Sequence, residues 1–191
     1  MSARDRSSVA LDIFTLPNSR PTDKVSDNFQ LWELTRSELA ARQGINNSFE
    51  SVLHMRAAVN LAREVMQPVR EQFGPFTPNS VYRSQALERA LKKKPRGWVS
   101  AGQHPMGEAV DFEIVGVSNI KLAQWCVKEL PTFDQLILEC HDPRHGANSG
   151  WVHVSLRAPW SRAGNRREVL SYIKDPKAGR WIYVNGLKTS K

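Results

Sequence analysis

Residues 103–112, Gln-His-Pro-Met-Gly-Glu-Ala-Val-Asp-Phe, place a histidine and an aspartate seven positions apart, with Gly107 between them. The imidazole nitrogen of His104 and a carboxylate oxygen of Asp111 are both good Zn²⁺ ligands, and a catalytic zinc usually has three protein ligands and one open position. The spacing alone does not establish a metal site, because an unconnected surface histidine and a turn aspartate can share it. A third ligand must therefore come from elsewhere in the chain.

A second histidine lies in a segment with the alternation of a β-strand. In the segment Trp-Val-His-Val-Ser at 151–155, the period of two puts Trp151, His153 and Ser155 on one face and the two valines on the other. We therefore predict a zinc site formed by His104, Asp111 and His153.

Three other segments occur around this pair of histidines in a fixed order. They are residues 81–84 (Val-Tyr-Arg-Ser), 133–139 (Phe-Asp-Gln-Leu-Ile-Leu-Glu) and 150–155 (Gly-Trp-Val-His-Val-Ser). With residues 103–112 they resemble the phage-type zinc D-Ala-D-Ala carboxypeptidases, which share a superfamily and a hedgehog-like fold with L-alanyl-D-glutamate endopeptidases. The resemblance runs from about residue 28 to residue 187. It implies zinc-dependent hydrolysis of a peptide bond in peptidoglycan stem peptides, by a phage endolysin or a tail-associated, wall-degrading virion protein.

The resemblance also suggests roles for single residues. Arg83 is similar to the arginine that relatives direct at the substrate carbonyl or terminal carboxylate, where a guanidinium can bind in a bidentate manner. Gln103 is a candidate for polarising the carbonyl, and Trp151 and Ser155 are candidates for contacting the substrate. One departure is that relatives usually have a serine where this chain has Gly102.

The sequence offers several candidates for the general base. Relatives place an acidic residue or a histidine at differing distances before the last ligand, but the positions three and five before His153 are Gly150 and Asn148. If residues 133–139 and 150–156 form an antiparallel hairpin, Glu139 and His153 point into one cleft. We therefore take Glu139 as the base. The alternatives are His141 and His145, in the loop between the two strands.

The pattern of helices and strands predicts an α+β fold, with a small, mostly antiparallel sheet and helices packed on one side. Helices are expected at 36–43, 49–73, 84–93 and 118–130, and strands at 76–82, 109–115, 133–139, 150–156, 169–173 and 181–184. The helix at 36–43 is expected to begin with a capping box of Thr35 and Glu38, and Pro68 to kink the long helix. Residues 1–27 are interpreted as an extended arm that is either mobile or docked on a partner such as a phage tail or virion protein, and 28–191 as a single peptidase domain that includes a C-terminal hairpin.

Composition sets limits on location and partners. The 191 residues contain no apolar run long enough to cross a membrane, and the N-terminus lacks the apolar core of a signal peptide. We therefore expect synthesis in the host cytoplasm and action on the cell wall after lysis or from a virion. The two cysteines, Cys126 and Cys140, are expected to be free thiols.

Two other classes of function are compatible with the sequence. The net charge of +8 attracts polyanions, but no nucleic-acid-binding motif accompanies it, so we do not expect nucleic acid to be a partner. The glycine at position 102 and the unusual 141–149 loop leave open a virion structural component that keeps the peptidase fold with little or no activity.

Overall fold

The computed structural model describes residues 19–175, 177 and 179–188. Its helices are α1 (Glu38–Gln43), α2 (Val52–Leu61), α3 (Gln67–Phe73), α4 (Gln85–Leu91) and α5 (Asn119–Glu129). Its strands are β1 (Ala109–Phe112), β2 (Gln135–Glu139), β3 (Trp151–Ser155), β4 (Glu168–Lys174) and β5 (Trp181–Asn185). The predicted α+β class is confirmed.

The five strands form one sheet in the order β1-β3-β2-β4-β5. The pairs β1–β3, β2–β3 and β4–β5 are antiparallel and β2–β4 is parallel, so the sheet is mostly antiparallel, as predicted. The predicted hairpin of β2 and β3 is confirmed, and it pairs Glu139 with Trp151. The predicted C-terminal hairpin is confirmed as β4 and β5.

One face of the sheet forms the core. Alternate residues of the three strands β1, β2 and β3 are fully buried and pack with apolar residues of α2 and α5; among them are Val110, Phe112, Leu136, Leu138, Val152 and Val154. Because side chains alternate along a strand, the residues between these point to the opposite face. Asp111, Glu139 and His153 therefore share the face away from the helices.

The long apolar helix is confirmed, with a local change of pitch. It begins at Val52, where the Ser51 side chain accepts a hydrogen bond from the backbone N–H of Leu53, and continues to Phe73. A π-helical segment, Ala62–Met66, separates α2 from α3, and Pro68 lies in the first turn of α3. Proline lacks a backbone donor and crowds the preceding turn, which accounts for the irregularity there.

Three local predictions are wrong. Residues 76–82 do not form a strand; only an isolated bridge joins Ser80 to Asp111, and Pro75 and Pro78 have no N–H to donate to a ladder. Helix α1 is capped by Ser37, whose side chain accepts from Ala40 N, and not by a Thr35 capping box. Strand β1 ends at Phe112, three residues earlier than predicted, because the chain turns between Ile114 and Val117.

Most of the predicted N-terminal arm, residues 1–18, lies outside the described part of the chain. The part that is described contacts the domain. Val25 belongs to the core, and Arg63 Nε donates a 2.7 Å hydrogen bond to its carbonyl oxygen. The domain boundary at residue 28 stays a prediction.

Two other expectations agree with the structure. Both cysteines are free: Cys126 is buried and Cys140 is partly buried. Over the residues described, no helix has the length and apolar character needed to span a membrane.

Candidate metal centre

The three predicted metal ligands converge on the open face of the sheet. Antiparallel pairing of β1 with β3 puts Asp111 directly opposite His153, and a short 3₁₀ turn before β1 carries His104. Asp111 Oδ1 lies 2.8 Å from His153 Nδ1, and Asp111 Oδ2 lies 3.1 Å from His104 Nε2. One donor atom from each residue lies within 4.8 Å of the others, and all three residues are buried. This is the geometry of a three-ligand metal site.

The donors also have the chemistry that zinc requires. His104 Nδ1 lies 2.6 Å from the Val81 carbonyl oxygen, which fixes the ring and leaves Nε2 facing Asp111. Burial lowers the pKa of His104, so its imidazole is neutral near pH 7. Burial alone would raise the pKa of Asp111, but the two neighbouring histidines outweigh it and hold that pKa well below its usual range. Neutral histidines and an ionised aspartate are the forms that bind zinc.

Gly107 allows the chain to turn between His104 and Asp111. Its φ is +73°, and a Cβ there would collide with the His54 carbonyl oxygen of α2. Only glycine adopts this conformation without strain. The glycine therefore lets the ligand-bearing turn pack directly against the helix.

Glu139 lies on the same face, on the strand next to His153. It is paired with Trp151, two residues before His153, and is partly buried. Burial raises the pKa of its carboxyl group, and the charge of Asp111 raises it further, whereas His153 and Arg83 act to lower it. Among the described residues, none forms a hydrogen bond or ion pair with this carboxylate. Glu139 is thus a carboxylate with a raised pKa and a free oxygen beside the three ligands.

The backbone at Gly150 excludes an acidic base three residues before His153. Its φ is +71°, and a Cβ there would overlap the Glu139 carbonyl oxygen. An acidic side chain cannot be accommodated at this close approach of the two strands. The two loop alternatives contact their own loop: His141 Nδ1 lies 3.0 Å from the Ser149 carbonyl oxygen and His145 Nδ1 lies 3.1 Å from Asp142.

Arg83 extends towards the ligands from the segment before α4. Its Nε donates a 2.7 Å hydrogen bond to Ser80 Oγ, and its guanidinium forms ion pairs with Asp111 and, at 3.5 Å, with Glu88. Glu88 is buried on α4 and also accepts from Lys92 and Ser100. Sequence reasoning missed Glu88, although its i,i+4 spacing from Lys92 was a usable signal.

A cleft of about 830 Å³ adjoins the centre. Its lining combines cationic, apolar and candidate-site residues, among them Arg36, Arg83, Leu87, Lys92, Asp111 and Trp151. The Trp151 indole N–H is buried and has no hydrogen-bond partner among the described residues. An unpaired buried donor beside a cleft is available to a ligand.

Gln103 and Ser155, two residues predicted to contact the substrate, form hydrogen bonds within the protein. The Gln103 side-chain amide donates a 2.9 Å hydrogen bond to Asp134 Oδ2. The Ser155 hydroxyl is fully buried; it donates to the Gln135 carbonyl oxygen and accepts from the Gln135 backbone N–H. Direct contact of Gln103 or Ser155 with the substrate stays a prediction.

Asp134 connects the sheet to the segment after β3. It is fully buried; Arg166 donates to both of its oxygens, and Arg157 lies 3.3 Å away. Burial acts to raise the pKa of Asp134, but the hydrogen bonds from Arg166 and the two positive charges lower it to about 2. The role of Asp134, which the sequence did not predict, is to hold Gln103 beside His104 and to neutralise two arginines.

We expect Asp134→Asn to lower the free energy of unfolding at pH 7 by about 1–2 kcal/mol. The folded pKa of about 2 lies below the ordinary 3.8, so the charged form contributes stability above pH 3.8. This contribution is lost as the pH falls from 3.8 towards 2, and the difference between variant and wild type should shrink there. Urea unfolding across this range measures it. Asp27→Asn, which neutralises an exposed aspartate outside this cluster, is the control. A difference independent of pH would contradict the assignment.

The fold and the His–Asp–His cluster are those expected of a metallopeptidase. The family model "Peptidase M15" matches residues 27–155, about two thirds of the chain. The chain therefore belongs to the Peptidase M15 family, within the superfamily of zinc D-Ala-D-Ala carboxypeptidase-like peptidases. A search of curated proteins and of solved structures found no match.

Proposed function

We propose that this protein is a zinc peptidase that hydrolyses peptide bonds in the stem peptides of bacterial peptidoglycan. The observation that carries the proposal is the convergence of His104, Asp111 and His153 on one sheet face, with Glu139 and Arg83 at either side. Family membership supports both the metal and the reaction class.

His104, Asp111 and His153 would hold the metal. A bound zinc supplies a Lewis acid that polarises a carbonyl and lowers the pKa of water. Glu139 has the position and the raised pKa of a general base: its carboxylate accepts a proton from the attacking water and returns it to the leaving amine. The water oxygen becomes one oxygen of the new carboxyl group, the relayed proton reaches the leaving nitrogen as the C–N bond breaks, and the second water proton ionises from the product acid.

Arg83 and Trp151 orient the substrate in this proposal. The Arg83 guanidinium, held by Ser80 and Glu88, donates hydrogen bonds to the carbonyl oxygen as it gains negative charge or to a terminal carboxylate. The buried Trp151 indole N–H donates to a second carbonyl of the peptide.

Peptidoglycan as substrate is supported by the family and by charge. Stem peptides carry free carboxylates, and the cleft beside Asp111 contains Arg36, Arg83 and Lys92. We further propose a phage context, as a lytic enzyme or a tail-associated virion part. This rests on the resemblance of the quoted sequence segments to phage-type enzymes.

The test is incubation of the purified, zinc-loaded protein with defined muropeptides, followed by mass spectrometry of the products. Loss of the terminal alanine would identify a carboxypeptidase, whereas release of the peptide beyond the first alanine would identify an endopeptidase. A chelator should abolish either reaction and added zinc should restore it. Intact muropeptides after prolonged incubation with zinc would contradict the proposal.

The alternative, an inactive virion component, was suggested in part by the glycine at position 102, and the structure weakens that observation. The Ser100 hydroxyl lies 3.2 Å from the point where a Cβ on Gly102 would be, so a hydroxyl already occupies the space beside that glycine. Zymography on purified cell wall separates the two functions, since only a peptidase clears the gel.

A further inference from the structure

The C-terminal hairpin of β4 and β5 carries a row of aromatic side chains. The Tyr172 ring stacks on Trp181 with centroids 5.4 Å apart, and it contacts Tyr183 at 4.5 Å. Trp181 is 41% exposed and Tyr183 is 58% exposed, so their outer surfaces are open. The match to the peptidase family ends at residue 155, before this hairpin, and family membership therefore assigns it no role. We name Tyr172, Trp181 and Tyr183 the aromatic platform.

The aromatic platform lies on the same sheet face as the candidate metal centre. Glu139 of β2 is in register with Tyr172 of β4, and Tyr172 is in register with Tyr183 of β5. Cross-strand partners project from the same face of a sheet. Burial raises the pKa of Tyr183, and the charge of Glu139 raises it further, which agrees with their proximity. The open face therefore runs from the ligands, past Glu139, onto the aromatic rings.

The two ends of this face differ in chemistry. Beyond β1, at one edge, the cleft presents Arg36, Arg83 and Lys92; beyond β4, at the other, the aromatic rings are exposed. A stem peptide has a matching polarity, since its carboxylates lie towards its C-terminus and its N-terminus is joined to the glycan. Pyranose rings expose C–H groups that pack on the negatively polarised faces of aromatic rings.

We propose that the aromatic platform binds the glycan to which the stem peptide is attached, a proposal that rests on the function proposed above. Dimensions agree: neighbouring strands are about 4.8 Å apart, so β5 lies about 14 Å from β3. Four extended residues cover about 13–14 Å, so the sugar of a stem peptide bound with its fourth residue at the metal centre can reach the platform, whereas a single residue covers only about 3–4 Å and leaves it short.

A purely structural explanation predicts something different. Cross-strand aromatic pairs stabilise hairpins by about 0.2–1 kcal/mol, and that effect would act on every substrate alike. Glycan binding acts only on substrates that carry sugar.

The experiment compares one stem peptide with and without its attached disaccharide. Trp181→Ala and Tyr183→Ala should each raise KM for the disaccharide peptide about three- to tenfold. The rise in KM should be confined to the disaccharide peptide, and Trp181→Phe should bring KM most of the way back to the wild-type value. Trp32→Ala, which removes a similarly exposed tryptophan (42%) in a separate part of the chain, is the control and should change neither substrate.

Binding is measured separately, by calorimetry of β-1,4-linked N-acetylglucosamine oligomers with the wild type and the Trp181→Ala variant. Sugar binding by the wild type that Trp181→Ala abolishes supports the proposal, even if the protein cleaves no peptide and the proposed function fails. Cleavage with equal KM for both peptides, or equal losses on both in the variants, overturns the platform and leaves the proposed function intact. Retention of another protein by the platform with no sugar binding also overturns it.

Discussion

Replacing His153 with alanine is expected to remove zinc from the protein and to abolish hydrolysis. His153 supplies one of three donors that lie within 4.8 Å of one another, and its loss leaves only His104 and Asp111. Loss of an outer-shell partner typically lowers metal affinity about 10–100-fold, and loss of a ligand should exceed that. Elemental analysis after dialysis measures the zinc content. Zinc should also raise the melting temperature of the wild type but not that of the variant, since only a bound ligand stabilises the fold.

The matched control is His141→Ala, because His141 is also a buried histidine but lies outside the cluster. It should keep one zinc per chain. Acid should release the metal from the wild type, because protonated imidazole cannot bind it. Burial lowers the pKa of His104 below 6.5, so its imidazole is still mainly neutral at pH 6.5. Zinc retention by the wild type should therefore extend to pH values below 6.5. An active preparation without metal, or full zinc retention by His153→Ala, would contradict the proposed site.

The elements that local patterns specify were predictable. Strand alternation at 151–155 placed His153 on the correct face, and the hairpin argument placed Glu139 on the neighbouring strand of the same face. Serine caps and apolar periodicity located α4 and α5, with Ser84 and Ser118 as N-caps. These features depend on residues close in sequence, or on the period of a single element.

The features that were missed depend on contacts between distant segments. Asp134 neutralises Arg157 and Arg166 and holds Gln103, partners that lie 23 to 32 residues away in sequence. Gly150 is required by the carbonyl oxygen of Glu139, eleven residues earlier. Residues 76–82 were expected to form a strand, but Pro78 within them and Pro75 just before them leave the segment with a single bridge. None of this can be read from spacing, because it is set by which strands become neighbours.

Glu139→Gln is expected to lower kcat about 10²–10⁴-fold while fold and zinc content stay near those of the wild type. Glutamine keeps the size of the side chain but cannot accept a proton. No described residue forms a hydrogen bond or ion pair with the Glu139 carboxylate, so its neutralisation breaks no observed contact. Burial raises the pKa of Glu139, and a base must be ionised to act. The pH–rate profile of the wild type should therefore fall on its acid side at a pH above 4.5, the ordinary pKa of glutamate. The variant should lose or shift this acid limb of the profile.

The controls are His141→Ala and His145→Ala, which remove the alternative bases. Both should keep turnover within a small factor of the wild type, since His141 and His145 contact Ser149 and Asp142 of their own loop. Steady-state kinetics on a short stem peptide, with zinc content measured on the same samples, separates loss of the base from loss of the metal. Near-normal turnover in Glu139→Gln together with an inactive, zinc-loaded loop variant would move the base to the loop. In that event the hairpin would still position His153, and Glu139 would serve only to tune the charge around the three ligands.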